Sequence, residues 1–139
     1  MWLLLAAAGW APAPAAQAAR ADDPLDPGSR DAALGQLGSL APVESDAIRI
    51  SVADVVEDGH AVPIAVASAI PSTEEIVIVI EENPYQVAAR FVLSESMLPE
   101  VRTRVKVNRS TTLHALVKAD GRFFTARRDV RVIVGGCGV

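Results

Sequence analysis

Cysteine is almost missing from this chain: among 139 residues there is one, Cys137, third from the end. One thiol excludes an internal disulfide framework. With only two histidines, His60 and His114, it offers no ligand spacing for zinc, so no metal and no cofactor is expected. Aromatic side chains make up 4% of the chain, and both tryptophans, Trp2 and Trp10, lie in the first ten residues. The core must therefore be built from Val, Ile, Leu and Ala. The chain also lacks the run of about 20 apolar residues that a permanent membrane helix needs. Basic residues interleaved with aromatics are missing as well, which sets nucleic acid aside. Glu81 and Glu82 are adjacent, so in a strand they point to opposite faces and form no catalytic pair. Cys137 stands one position too near the end for a prenylation box.

What is present is alternation. Half the residues are apolar, enough for one domain with a real core. From Asp46 onward the apolar positions recur with period two. Ile48, Ile50 and Val52 share one face; Val62, Ile64, Val66 and Ile70 share the next, after a turn at Asp58-Gly59. Pro71-Ser72 breaks the chain before Ile76-Val77-Ile78-Val79-Ile80, and Asn83-Pro84 ends that run. Val87, Ala89, Phe91 and Leu93 alternate next, followed by Val101, Thr103, Val105 and Val107. Leu113 to Ala119 leads through Asp120-Gly121, a strong hairpin signal, into Phe123 to Val134. About seven strands joined by short turns predict an all-β fold, an antiparallel β-sandwich. Residues 76–80 are apolar on both faces, whereas one face of a two-layer sandwich meets water. Val77 and Val79 must then be covered, either by a short helix of this chain or by a partner protein.

The first 45 residues read differently. Residues 1–18 resemble an export signal: an apolar run from Trp2 to Trp10, then the small-x-small cleavage site Ala16-Gln17-Ala18. Residues 19–45 form an Asp/Pro-rich linker and a short helix that Ser29 caps and Gly38 ends. Residues 46–134 are the sandwich, and residues 135–139 form an arm.

That arm is Gly135-Gly136-Cys137-Gly138-Val139. Glycine lacks a Cβ and reaches backbone conformations closed to other residues, so three glycines around one thiol make a thin tether. A thiol buried for packing would sit inside a strand; this one is placed to be handed to other proteins. The ending resembles the Gly-Gly-Cys-Gly-Gly terminus of the SoxY family, the sulfur-carrier subunit of the bacterial thiosulfate-oxidising (Sox) system. The likeness continues through Glu82-Asn83-Pro84, Val117 to Phe123 and Val130-Arg131-Val132, and covers most of residues 44–139. Val139 departs from the family by replacing the final glycine, while both glycines before the thiol remain.

The resemblance implies an immunoglobulin-like sandwich with a flexible C-terminal arm, and a periplasmic protein with no turnover of its own. Cys137 would carry sulfur intermediates covalently, with Gly135, Gly136 and Gly138 as the arm. A SoxZ-like β-sandwich subunit would complete a heterodimer, with Val77 and Val79 as the expected contacts. Transient partners would be a c-type cytochrome that couples thiosulfate to the thiol and a hydrolase that releases sulfate. Family members usually bear a twin-arginine export signal; no basic residue precedes Arg20, which points to a true start upstream of Met1. After cleavage no membrane segment is expected. A reading from another class is a secreted adhesion or assembly module that uses Cys137 for an inter-chain disulfide.

Charge is segregated along the chain. Residues 1–99 hold 4 basic and 14 acidic side chains, and residues 100–139 hold 9 and 3. The thiol thus lies in the positive stretch, which suits anionic sulfur species, although most of these arginines fit solvated strand faces equally well.

Overall fold

A computed structural model of the chain describes residues 41–133 together with Gly35. Nine strands follow in order: β1 (Val43–Glu44), β2 (Ile48–Ser51), β3 (Val55–Val56), β4 (Val62–Ser68) and β5 (Thr73–Ile80). The remainder are β6 (Val87–Val92), β7 (Glu100–Val105), β8 (Thr111–Ala119) and β9 (Arg122–Val132). They form two sheets, one ordered β1-β9-β8-β5-β6 with β3 also on β9, the other β2-β4-β7. The fold is a β-sandwich.

The seven strands expected from alternation are all present and pair antiparallel. The two additional ones, β1 and β3, are two residues each and run parallel to β9. No periodicity announces them, because they exist only as backbone pairing along the edge of the long strand β9. β1 falls in the stretch read from sequence as linker. The predicted helix after Ser29, apart from Gly35, lies outside the described residues, as do the export signal and the arm.

Between the sheets lies one core. Ile48, Val62, Ile64, Val66, Val101 and Val105 from the small sheet meet Ile76, Ile78, Ile80, Leu113, Ala115, Val117 and Val130 from the large one. Each comes from the alternate positions of its strand, and in β2, β4 and β7 binary patterning alone places them. The β8–β9 turn is a two-residue loop: Ala119 pairs with Arg122, while Asp120 and Gly121 take φ of 49° and 71°. Both central residues of such a hairpin turn require positive φ, which Asp-Gly tolerates.

β6 departs from its expected pattern. Ile78 pairs with Ala89 but Val79 pairs with Val87, so Ala88 is an extra residue on β6. One inserted residue reverses the facing of everything before it. Ala89, Phe91 and Leu93 pack on the main core as expected. Val87 instead turns to the opposite side and joins Val77, Val79, Leu116 and Phe123 in a second apolar cluster.

Candidate functional site

β9 leads directly into the cysteine-bearing tail, so the candidate site is the end of the sandwich where β9 finishes. Backbone and side-chain hydrogen bonds together fix that end. Asp54 holds β9 twice: its carbonyl accepts from the Arg131 amide at 2.8 Å, and its Oδ1 accepts from Arg128 Nε and Nη2 at 3.1 and 2.8 Å. Ser110 Oγ accepts from the Val132 amide at 3.0 Å, and the Val56 carbonyl accepts from Ile133 at 2.9 Å. Asn83 clips two turns together, with Nδ2 donating to the Lys106 carbonyl at 2.6 Å and Oδ1 accepting from Asn108 at 3.1 Å. The backbone is thus secured up to Ile133, the last described residue. Cys137 is four residues further along, so covalent geometry keeps it within roughly 14 Å of Ile133.

Asp54, Glu81, Glu82, Ser110, Thr112, His114, Arg127 and Arg128 line a polar groove of about 1270 Å³ beside this root. Its charges are largely spoken for: Arg128 pairs with Asp54, Arg127 with Glu44 at 3.4 Å, and His114 with Glu81 at 2.6 Å. The pair of buried His114 with exposed Glu81 is the arrangement that would serve as a base for a thiol. It is poorly placed for this one. His114 pairs with Arg127, six residues back from Ile133, or about 20 Å along the strand. The arm would have to reverse direction and stay fully extended at once. The structure therefore supplies a firm root for the tail.

The other histidine is exposed on the turn before β4. His60 Nδ1 lies 2.7 Å from Asp58 Oδ1, which also accepts from the His60 amide at 2.9 Å. The His60 amide first, and its ring second, hold the Asp58 carboxyl below its usual range. Among the described residues no group of three His, Cys, Asp or Glu stands close enough to hold a metal ion.

Cys137, Gly135, Gly136 and Gly138 lie outside the described residues. Val77 and Val79, the expected partner contacts, are each 0% exposed in the single chain, within the second apolar cluster. Besides His114, the same outer face buries two polar groups that alternation does not reveal. Glu75 is gripped bidentately by Arg90 through Oε1 to Nε and through Oε2 to Nη2, the latter at 3.2 Å, and that hydrogen bonding raises the arginine pKa. Thr125 is buried too, its Oγ1 without a hydrogen-bond partner among the described residues. The one sequence signal for the ion pair was a lone Glu and a lone Arg facing outward on neighbouring strands.

Comparison with known proteins agrees with the geometry. Residues 34–137 match the family model described as sulfur oxidation protein SoxY. A solved structure, that of the sulfur carrier protein SoxY from Chlorobium limicola f thiosulfatophilum, superposes with a TM-score of 0.68 at 35% identity. The alignment covers 73% of this chain and 89% of that one. Comparison with curated proteins finds no match.

Proposed function

This chain belongs to the SoxY family of sulfur oxidation proteins, and from that premise we propose that it carries thiosulfate-derived sulfur covalently on Cys137. The observation that supports the reading most is where the family match ends: it runs to residue 137 and so takes in the thiol. The firmly held root at Val132 and Ile133 fits a carrier, since a tether delivers its load only if its base stays put. A free thiol has a pKa of about 8.5, so only a small fraction is ionised near neutral pH. Activation then falls to the enzymes that act on it.

Loading is an oxidation. The Cys137 sulfur bonds to the outer sulfur of thiosulfate, the thiol loses its proton, and two electrons pass to a c-type cytochrome partner. Hydrolysis then releases the terminal sulfonate as sulfate, with water supplying the oxygen, and leaves a persulfide on the cysteine. This protein is the handle and has no turnover of its own. Its setting is the periplasm, and its steady companion a SoxZ-like β-sandwich subunit.

The test is Cys137→Ser in a reconstituted thiosulfate-oxidising system. The variant is expected to unfold at the same denaturant concentration as the parent and to take up no sulfur. Sulfur uptake by the variant would overturn the assignment. A large loss of stability would make the thiol structural instead.

A further inference from the structure

β7 is an edge strand. It pairs with β4 on one side, and among the described residues no strand pairs with it on the other. The direction of its free groups follows from the ladder. The Pro99 carbonyl accepts from the Ser68 amide, so Pro99 and the positions two and four further on, Val101 and Thr103, aim their backbone groups at β4. Arg102 and Arg104 therefore aim theirs at the open edge, while the Glu100 amide donates to the Leu98 carbonyl at 2.8 Å. The Lys106 carbonyl confirms the parity, since it points away from β4 to accept from Asn83.

The same residues carry the charge. Val101 and Val105 enter the core, so the side chains of Arg102, Arg104 and Lys106 lie on the solvent face of the sheet. Arg102 pairs with Glu100 at 2.7 Å, whereas Arg104 and Lys106 have no ion pair among the described residues. Across β4 the facing positions are small: Ala65 stands opposite Arg102 and Pro63 opposite Arg104. Nothing bulky hinders a chain laid along this edge. At its start Leu98 is 82% exposed and Met97 55%.

We propose that the open edge of β7 binds an extended acidic strand of a partner protein, by main-chain pairing with Arg102 and Arg104. Residues opposite those two in the added strand would put their side chains on the same face. Carboxylates at alternate positions would then meet both guanidinium groups. Main-chain bonds supply affinity in such strand addition, and side chains at every second position supply specificity. Antiparallel pairing with a second copy of this chain in the register that centres the edge sets Arg102 against Arg104, and basic edge strands resist self-association for this reason. The exposed Leu98 adds an apolar contact where the added strand begins. The far end of β7 reaches Lys106, at the clip that Asn83 makes beside the arm root, so a partner aligned on this edge is directed toward the carrier end. The proposal stands apart from the role of Cys137.

The test uses the full chain and a synthetic octapeptide alternating glutamate with threonine, followed by amide hydrogen exchange at low salt. The peptide is expected to protect the Arg102 and Arg104 amides. N-methylation of its alternate amides, which removes its donors while keeping its charge, is expected to weaken binding at least tenfold. Arg102→Glu/Arg104→Glu is expected to lose the glutamate peptide and to gain a lysine-threonine one, a swap that a misfolded variant could not make. Failure to bind, binding without protection of those two amides, or equal binding of the N-methylated peptide would each overturn the proposal. Equal protection by a single-stranded oligonucleotide would do the same.

Discussion

Gly59 and Val107 meet backbone to backbone. The Val107 amide donates to the Gly59 carbonyl at 2.7 Å, and a Cβ on Gly59 would stand 2.0 Å from the Val107 carbonyl oxygen. The same Cβ would lie 3.6 Å from Val132 Cγ1, so this contact packs against the last residue of β9. Glycine is required here for closeness, since any side chain forces two backbones apart.

Gly59→Ala is therefore expected to destabilise the domain by about 1–3 kcal/mol, the usual range for overpacking. A shifted urea midpoint with an unchanged slope would record it. Because the contact borders Val132, the amide of Ile133 is expected to exchange faster in the variant.

Thr125 gives the opposite sign. Its hydroxyl is buried without a partner among the described residues, and such a group carries a desolvation penalty with no return. Thr125→Val keeps the β-branched shape and is expected to stabilise the protein by roughly 1 kcal/mol. Thermal unfolding measures it directly; a lower melting temperature would mean that the hydroxyl is bonded.

The Glu75–Arg90 pair is expected to behave as a unit. Arg90→Leu leaves a carboxylate of 7% exposure unpaired. The loss should be roughly 2–3 kcal/mol, at or below the low end for breaking a buried pair, because Arg90 is itself 34% exposed. Glu75→Leu/Arg90→Leu is expected to recover most of it, since replacing both charges by apolar groups is often neutral. A double variant less stable than the single one would contradict this.

These cases divide what the sequence reveals from what it hides. Alternation identifies Val62, Ile64 and Val66 as core residues because side-chain period in a strand is local geometry. Asp120-Gly121 announces its turn because two positive φ values at adjacent residues leave few other choices. Val87 deceives, since a single extra residue at Ala88 reverses its facing and nothing near it in sequence marks the bulge. The bond between Asp54 and Arg128 spans 74 positions, and only the register of β3 against β9 brings them together. Glu75, His114 and the Asn83 clip were hidden for the same reason. Pairing between strands is a property of the assembled sheet, so the buried polar groups and the architecture of the arm root emerge only from the fold.

The arm itself yields a kinetic prediction. Gly135→Ala/Gly136→Ala adds two methyl groups beside the thiol and narrows the backbone freedom there. Fold stability is expected to stay within about 0.5 kcal/mol, as for changes away from the core. Reaction with a small thiol reagent should hardly change. Enzyme-catalysed loading of thiosulfate is expected to fall at least roughly tenfold, or about 1.4 kcal/mol in the barrier. Equal enzymatic rates would rule out a slender arm entering a recessed site.

The most direct test of the carrier account is the mass of the C-terminal peptide from protein isolated without reductant during thiosulfate oxidation. The account requires sulfur or thiosulfonate additions on the fragment that holds Cys137, removable by reductant and missing from every other fragment. A tail peptide found only as a disulfide between two copies of the chain, with no added sulfur under turnover, would contradict it.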